Sequence, residues 1–153
     1  MKIRTDFVTN SSSSSFMITF EGKEDMLRIK GEMYKYYAKE LVDELFQRIE
    51  KHKITYTKAR ELMKEYLYGD IYYALVYDTP KYAHKPRSWV NTSEFKNLLN
   101  EHINEEVRLF GELVNHRGYF SFIDYSDHTD YGNIMEHQIV PNLPFVYKTF
   151  SNH

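Results

Sequence analysis

The sequence predicts an α+β fold: a small antiparallel sheet, formed by an N-terminal strand and C-terminal strands, packed against about three central helices. Three observations carry this expectation. Residues 16–20 alternate, with Phe16, Ile18 and Phe20 on one side and Met17 and Thr19 on the other, which is the period of a half-buried strand. Between Glu24 and Val114, apolar residues recur at spacings of three and four, the period of amphipathic helices. The segments 119–124 and 144–150 then return to strand-like apolar runs. Strands at both ends of a chain, with helices between them, close most simply as one sheet with helices on a face.

Taken in order, residues 1–9 are mixed, with Ile3, Phe7 and Val8 available for packing. Five serines, Ser11 to Ser15, run straight into the first strand, and Glu21-Gly22-Lys23 makes a turn after it. A long helix is expected from Glu24 to Lys51, with Tyr34, Tyr37, Ala38, Leu41, Leu45 and Ile49 as its stripe, widened by Val42 and Phe46. Gly31 is its weak point. Thr57 is the expected N-cap of a second helix whose stripe is Ala59, Leu62, Met63, Tyr66, Leu67 and Ile71. Residues 71–77 are apolar on all sides, and period alone allows either a helix end or a strand. Pro80 and Pro86 mark residues 78–90 as a loop. Asn91, with Glu94 three residues on, resembles a capping box for a third helix. Its buried face is Phe95, Leu98, Leu99, Ile103, Val107, Phe110, Leu113 and Val114, with Gly118 as its C′ residue. Residues 124–133 read as a polar loop before the last strand. No repeat or composition break interrupts the chain, so residues 1–153 are expected to form a single domain.

Composition narrows the function classes. The chain is 42% hydrophobic and 27% charged, a globular balance with enough apolar residues for a core. Fourteen Tyr stand beside ten Phe and one Trp, and such amphipathic rings suit partly buried faces and interfaces, a dimer among them. A net charge of −2 gives no global electrostatic case for nucleic acid. With no cysteine, disulfides, thiolate metal sites and a Cys nucleophile are excluded, and a reducing compartment fits. No apolar run approaches the roughly 20 residues of a membrane span. Lys2 and Arg4 lead into no apolar signal region, so a cytoplasmic protein without a membrane partner is expected.

The richest polar cluster is Asp124, Asp127 and His128, followed by Glu136 and His137. Carboxylates and imidazoles together can ligate a divalent metal or carry acid–base chemistry. Their spacing matches neither an EF-hand loop nor the His-Glu-x-x-His of a zincin, and turn chemistry alone also accounts for Asp, Ser and Thr in a loop. The only basic and aromatic patch, Lys81, His84, Lys85 and Arg87 beside Tyr82 and Trp89, could seat a phosphate or a nucleic-acid backbone with Trp89 as a stacking surface, although an ordinary surface loop accounts for it as well. Helical carboxylates such as Asp43 and Glu44 read as solvated or ion-paired faces. The serine tract, Asn10, Ser11, Ser12, Ser13, Ser14 and Ser15, allows three roles: capping backbone groups, forming an anion-binding nest, or serving as a tag for a modifying enzyme. No Gly-x-Ser-x-Gly elbow or Gly-Lys-Ser/Thr loop is present, so no catalytic residue is assigned.

The opening Met1-Lys2-Ile3-Arg4-Thr5-Asp6-Phe7-Val8-Thr9-Asn10, with the five serines and Phe16, resembles a recurrent N-terminus of small proteins of bacteria and their phages. The ending is similar too: an aromatic strand, an acidic loop, Glu136-His137, a Pro-containing segment and a final Ser-Asn-His, with Asn152 where the group carries His. The resemblance implies no particular activity. It implies that the two ends form one unit, with the serine tract near Glu136, His137 or His153. The leading expectation is an accessory protein that acts by binding a protein partner and needs no cofactor. One rival is a metal-dependent hydrolase or nuclease using Asp124, Asp127, His128, Glu136 and His137. The other is a serine tract that is the substrate of a modifying or processing enzyme.

Overall fold

The computed structural model of the chain describes residues 13–114 and 117–151. The expectations for Asn10, Ser11, Ser12, His153 and the packing of residues 1–9 lie outside these residues. The described residues form an α+β fold with a four-stranded antiparallel sheet and five α-helices. They cluster into two compact units: one takes the described residues of Met1–Ala59 and Arg117–His153, the other those of Arg60–His116.

The first unit holds the sheet. Its strands are β1 (Ser13–Phe20), β2 (Lys53–Ile54), β3 (Tyr119–Ser126) and β4 (Val146–Ser151), in the order β2-β3-β1-β4. The N-terminal strand therefore lies between the two C-terminal ones. Its register pairs Ser14 with Tyr125 and Ser151, Ser15 with Asp124 and Phe150, and Phe16 with Ile123 and Thr149. Phe16, Ile18 and Phe20 occupy one face and join the helical core; Ser15, Met17 and Thr19 are also buried, on the other. The two-residue β2, which pairs with Ser121 and Phe120, was not anticipated; two residues are too few to show a period.

Against the first face lie α1 (Lys23–Met33) and α2 (Lys39–Lys51), in place of the single helix expected over 24–51. Gly31 stays inside α1, and the chain turns after it, ending with Ala38 in an extended conformation ahead of α2. The reason is geometric. A continuous helix over those 28 residues would run about 42 Å, well past a strand of eight residues at roughly 26 Å. Breaking it lets Met26 and Met33 share one core with Val42, Leu45, Phe46 and Ile49. Rings of Phe20, Phe46 and Phe145 meet there at centroid distances of 4.9 to 6.2 Å. Tyr34 closes the corner by donating its hydroxyl to Asp43.

The segment read as a loop over 124–133 is mostly ordered backbone. Strand β3 continues to Ser126, and α5 (Asp130–Ile134) begins four residues later, capped by Thr129 Oγ1, which accepts the Gly132 N–H at 2.9 Å. A wider π-type turn, Met135–Ile139, and a 3₁₀ turn, Val140–Asn142, lead to β4. Gly118, expected to end a helix, instead packs its N–H 2.8 Å from the Glu21 carbonyl, where a Cβ would sit only 3.1 Å from that oxygen.

Helix α3 (Tyr56–Tyr73) is capped by Thr55, not Thr57: Thr55 Oγ1 accepts the Lys58 N–H at 3.1 Å. Within the second unit, α3 runs on into a π-type turn, Ala74–Asp78, which settles residues 71–77 as helical. Short 3₁₀ turns carry Pro80–Tyr82 and Arg87–Asn91. Helix α4 (Ser93–Leu113) starts one residue later than the Asn91 cap implied, because Thr92 Oγ1 accepts the Phe95 N–H at 3.2 Å. Phe95, Leu99, Ile103, Val107 and Phe110 form its buried stripe, whereas Leu113 is exposed. No helix among the described residues is long and apolar enough to cross a membrane.

Candidate metal centre

Residues at positions 14, 127, 136 and 137 meet at one end of the sheet. The β1–β3 register puts Ser14 on the helix-covered face, beside Tyr125. The π-type turn after α5 brings Glu136 over the same edge, and Ser14 Oγ donates to Glu136 Oε1 at 2.9 Å, across 122 residues of chain. Glu136 Oε2 lies 3.4 Å from His137 Nε2, which is 4.0 Å from Asp127 Oδ2 at the end of β3. One ligand atom each from Asp127, Glu136 and His137 falls within 4.8 Å of the others, a spacing that could hold one cation. The cluster is graded in exposure: Glu136 is 2% exposed, Asp127 is half-buried, and the His137 side chain is 46% exposed. It is thus rooted in the fold and open on the His137 side.

Of the five residues anticipated as metal ligands, the fold gathers these three. Asp124 lies on the opposite face of β3, where its carboxylate accepts from Ser15 Oγ at 2.5 Å, directly across the register. Alternation along a strand makes this unavoidable, because Asp124 and Tyr125 point to opposite faces. His128 is exposed in the turn after β3 and is not one of the three. Among the serines, Ser13 is half-buried in β1, and Ser14 and Ser15 are buried with carboxylate partners. Trp89 belongs to the second unit and is 6% exposed. Tyr82 and Phe95 pack against its ring at 5.0 Å each, and Lys85 Nζ sits 5.5 Å from its centroid. The buried Nε1 of Trp89 has no hydrogen-bond partner among the described residues.

A second polar cluster surrounds Glu44, expected from the sequence as part of a solvated or ion-paired helix face, and the ion pair is present with Arg48. Glu44 Oε2 accepts from Tyr125 at 2.8 Å and from Tyr131 at 2.6 Å, while Arg48 reaches Oε1 at 2.8 Å. The Arg48 guanidinium also lies 4.2 Å from the centre of the Tyr125 ring and donates to the Asp124 carbonyl at 2.7 Å. Partial burial pushes the Glu44 carboxyl up, yet the phenol donors of Tyr131 and Tyr125 and the charge of Arg48 outweigh it and hold Glu44 below the ordinary carboxylate range. Burial and then the Glu44 carboxylate push both phenols above their ordinary range, so they remain donors. This ties α2 to the end of β3 and the start of α5, the elements that flank Asp127 and lead to Glu136. The Glu44–Arg48 spacing of four was a visible signal; the tyrosines that complete the cluster were not.

Two carboxylates and an imidazole make a mixed oxygen and nitrogen donor set suited to Zn²⁺ or Mn²⁺. Three protein ligands leave coordination positions for water or a substrate oxygen. No protein-family model, curated protein or solved structure matches the chain.

Proposed function

We propose that the protein binds a divalent cation through Asp127, Glu136 and His137 and uses it as a hydrolytic centre. The observation that carries this reading is the convergence of the three side chains, one of them a carboxylate that is almost wholly buried. A bound cation would polarise a substrate oxygen and acidify a coordinated water to supply hydroxide. The test is metal analysis and thermal shift with Mn²⁺ or Zn²⁺ on protein without an affinity tag, followed by turnover of an activated phosphodiester such as bis(p-nitrophenyl) phosphate. Roughly stoichiometric metal, and hydrolysis that chelation abolishes, are expected. Absence of binding by either ion would overturn the reading.

A second reading, partner binding by a cytosolic bacterial or phage accessory protein, draws on a different observation. The corner between α1 and α2 exposes Tyr34, Tyr36 and Tyr37 together, with Tyr36 81% exposed. Tyrosine is over-represented at protein interfaces because it buries a large ring at low entropic cost. Capture of one defined protein from the native host, lost on Tyr36→Ser, would favour this reading, whereas equal capture by both forms would count against that surface.

A further inference from the structure

Strand β1 carries an anomaly at its start. Residues 14 and 15 are buried on opposite faces of a central strand, where apolar β-branched side chains would be the stable choice. Both are serine, and each hydroxyl is bonded to a carboxylate brought in from a distant part of the chain: Ser14 to Glu136, Ser15 to Asp124. Replacing either serine by an apolar residue would take that donor away from its carboxylate, so what each serine brings to the strand is its bond to that group.

Ser14 donates to one oxygen of Glu136, Oε1, while the other, Oε2, faces His137 Nε2 at 3.4 Å. That is the relation of a hydrogen-bonded carboxylate ligand: one oxygen anchored by the fold, the other presented to the cation. The anchor itself is fixed, because Ser14 sits in a strand paired on both sides, with Tyr125 and with Ser151. From this geometry we infer that Ser14 is a positioning residue for the cation centre, holding Glu136 so that Oε2 points toward Asp127 and His137. The inference rests on the cation-binding reading above and assigns a role to the serine tract within it.

Mn²⁺ alone is the probe, its free fraction counted by electron paramagnetic resonance, with circular dichroism confirming the fold. Outer partners that orient a ligand typically change metal affinity about 10- to 100-fold when removed. Ser14→Ala is expected to weaken Mn²⁺ binding by a factor in that range. Ser14→Val, a better strand former, provides a second hydroxyl-free variant should alanine fold poorly. Ser14→Thr keeps the donor and is expected to bind more tightly than either. A purely structural role is separated by Ser121→Ala, which removes another buried serine hydroxyl of the same sheet, bonded 2.7 Å from the Ile49 carbonyl. That variant is expected to retain wild-type affinity. Wild-type affinity in a folded Ser14→Ala or Ser14→Val would overturn the positioning role and leave the cation centre standing. Failure of the wild-type protein to bind either Mn²⁺ or Zn²⁺ would overturn both.

Discussion

Replacing Gly132 with alanine tests how tightly α5, and with it the Glu136 turn, is pressed against the end of β3. A Cβ at residue 132 would lie 2.0 Å from the Ser126 carbonyl oxygen and 3.2 Å from Thr129 Oγ1. Backbone strain plays no part, since no glycine of the described residues has a positive φ. The obstacle is a backbone oxygen in a strand whose register is set by the Ser13–Ser126 pair, so relief must come from displacing α5. Overpacking of this kind costs about 1–3 kcal/mol, and disturbing the Thr129 cap adds about 1 kcal/mol. The reduced entropy of the unfolded alanine chain returns about 0.4–1 kcal/mol. The net is a loss of about 2 kcal/mol, or a fall in Tm of roughly 4–8 °C for a chain of this size. Thermal unfolding followed by circular dichroism measures it, and Mn²⁺ titration reports whether Glu136 has moved with the helix. Gly31→Ala and Gly69→Ala are the controls: both lie within helices with nothing within 4 Å of an added Cβ. Each should raise stability by about 0.5–1 kcal/mol. A Gly132→Ala protein as stable as the wild type, with unchanged Mn²⁺ affinity, would refute the close α5–β3 contact.

Glu44 is held below the ordinary carboxylate range, so its contribution is complete above the pKa of the unfolded chain and is lost as the pH falls through the lower, folded value. Wild-type protein should therefore lose more stability than Glu44→Gln between neutral and strongly acidic pH, as read from urea midpoints across that range. Thr92→Ala removes the hydroxyl that accepts the Phe95 N–H and should destabilise the protein by about 1 kcal/mol, whereas Thr92→Ser should restore it. Trp89 is the only tryptophan and is buried, so native fluorescence should be blue-shifted and poorly quenched by acrylamide; ready quenching in the folded state would contradict its packing against Tyr82 and Phe95.

Local period and composition determined much of this molecule. Alternation marked Phe16, Ile18 and Phe20 as one face of a strand, and a spacing of four marked Phe95, Leu99, Ile103 and Val107 as one face of a helix. Both patterns arise within a few residues, because side-chain direction follows backbone geometry directly. The same local chemistry pointed to the polar stretch after residue 123 as the place for a site. Cap positions slip by a residue or two: Thr55 and Thr92 cap the helices whose expected caps were Thr57 and Asn91.

What only the tertiary structure decided are the relations between residues far apart in the chain. The turn after Met33 depends on the length of the sheet that α1 and α2 must cover, which no property of residues 34–38 reveals. Asp124 is excluded from the cluster by the face of β3 it occupies, and so by register, while Glu136 and His137 join Asp127 only through the path of the chain after α5. Glu44 acquires its tyrosine partners across separations of 81 and 87 residues, and Ser14 meets Glu136 across 122. Periodicity fades over such distances, whereas a paired strand fixes its contacts to within one residue, because a slip of one would turn Ser14 away from Glu136 and bring Ser15 to that face.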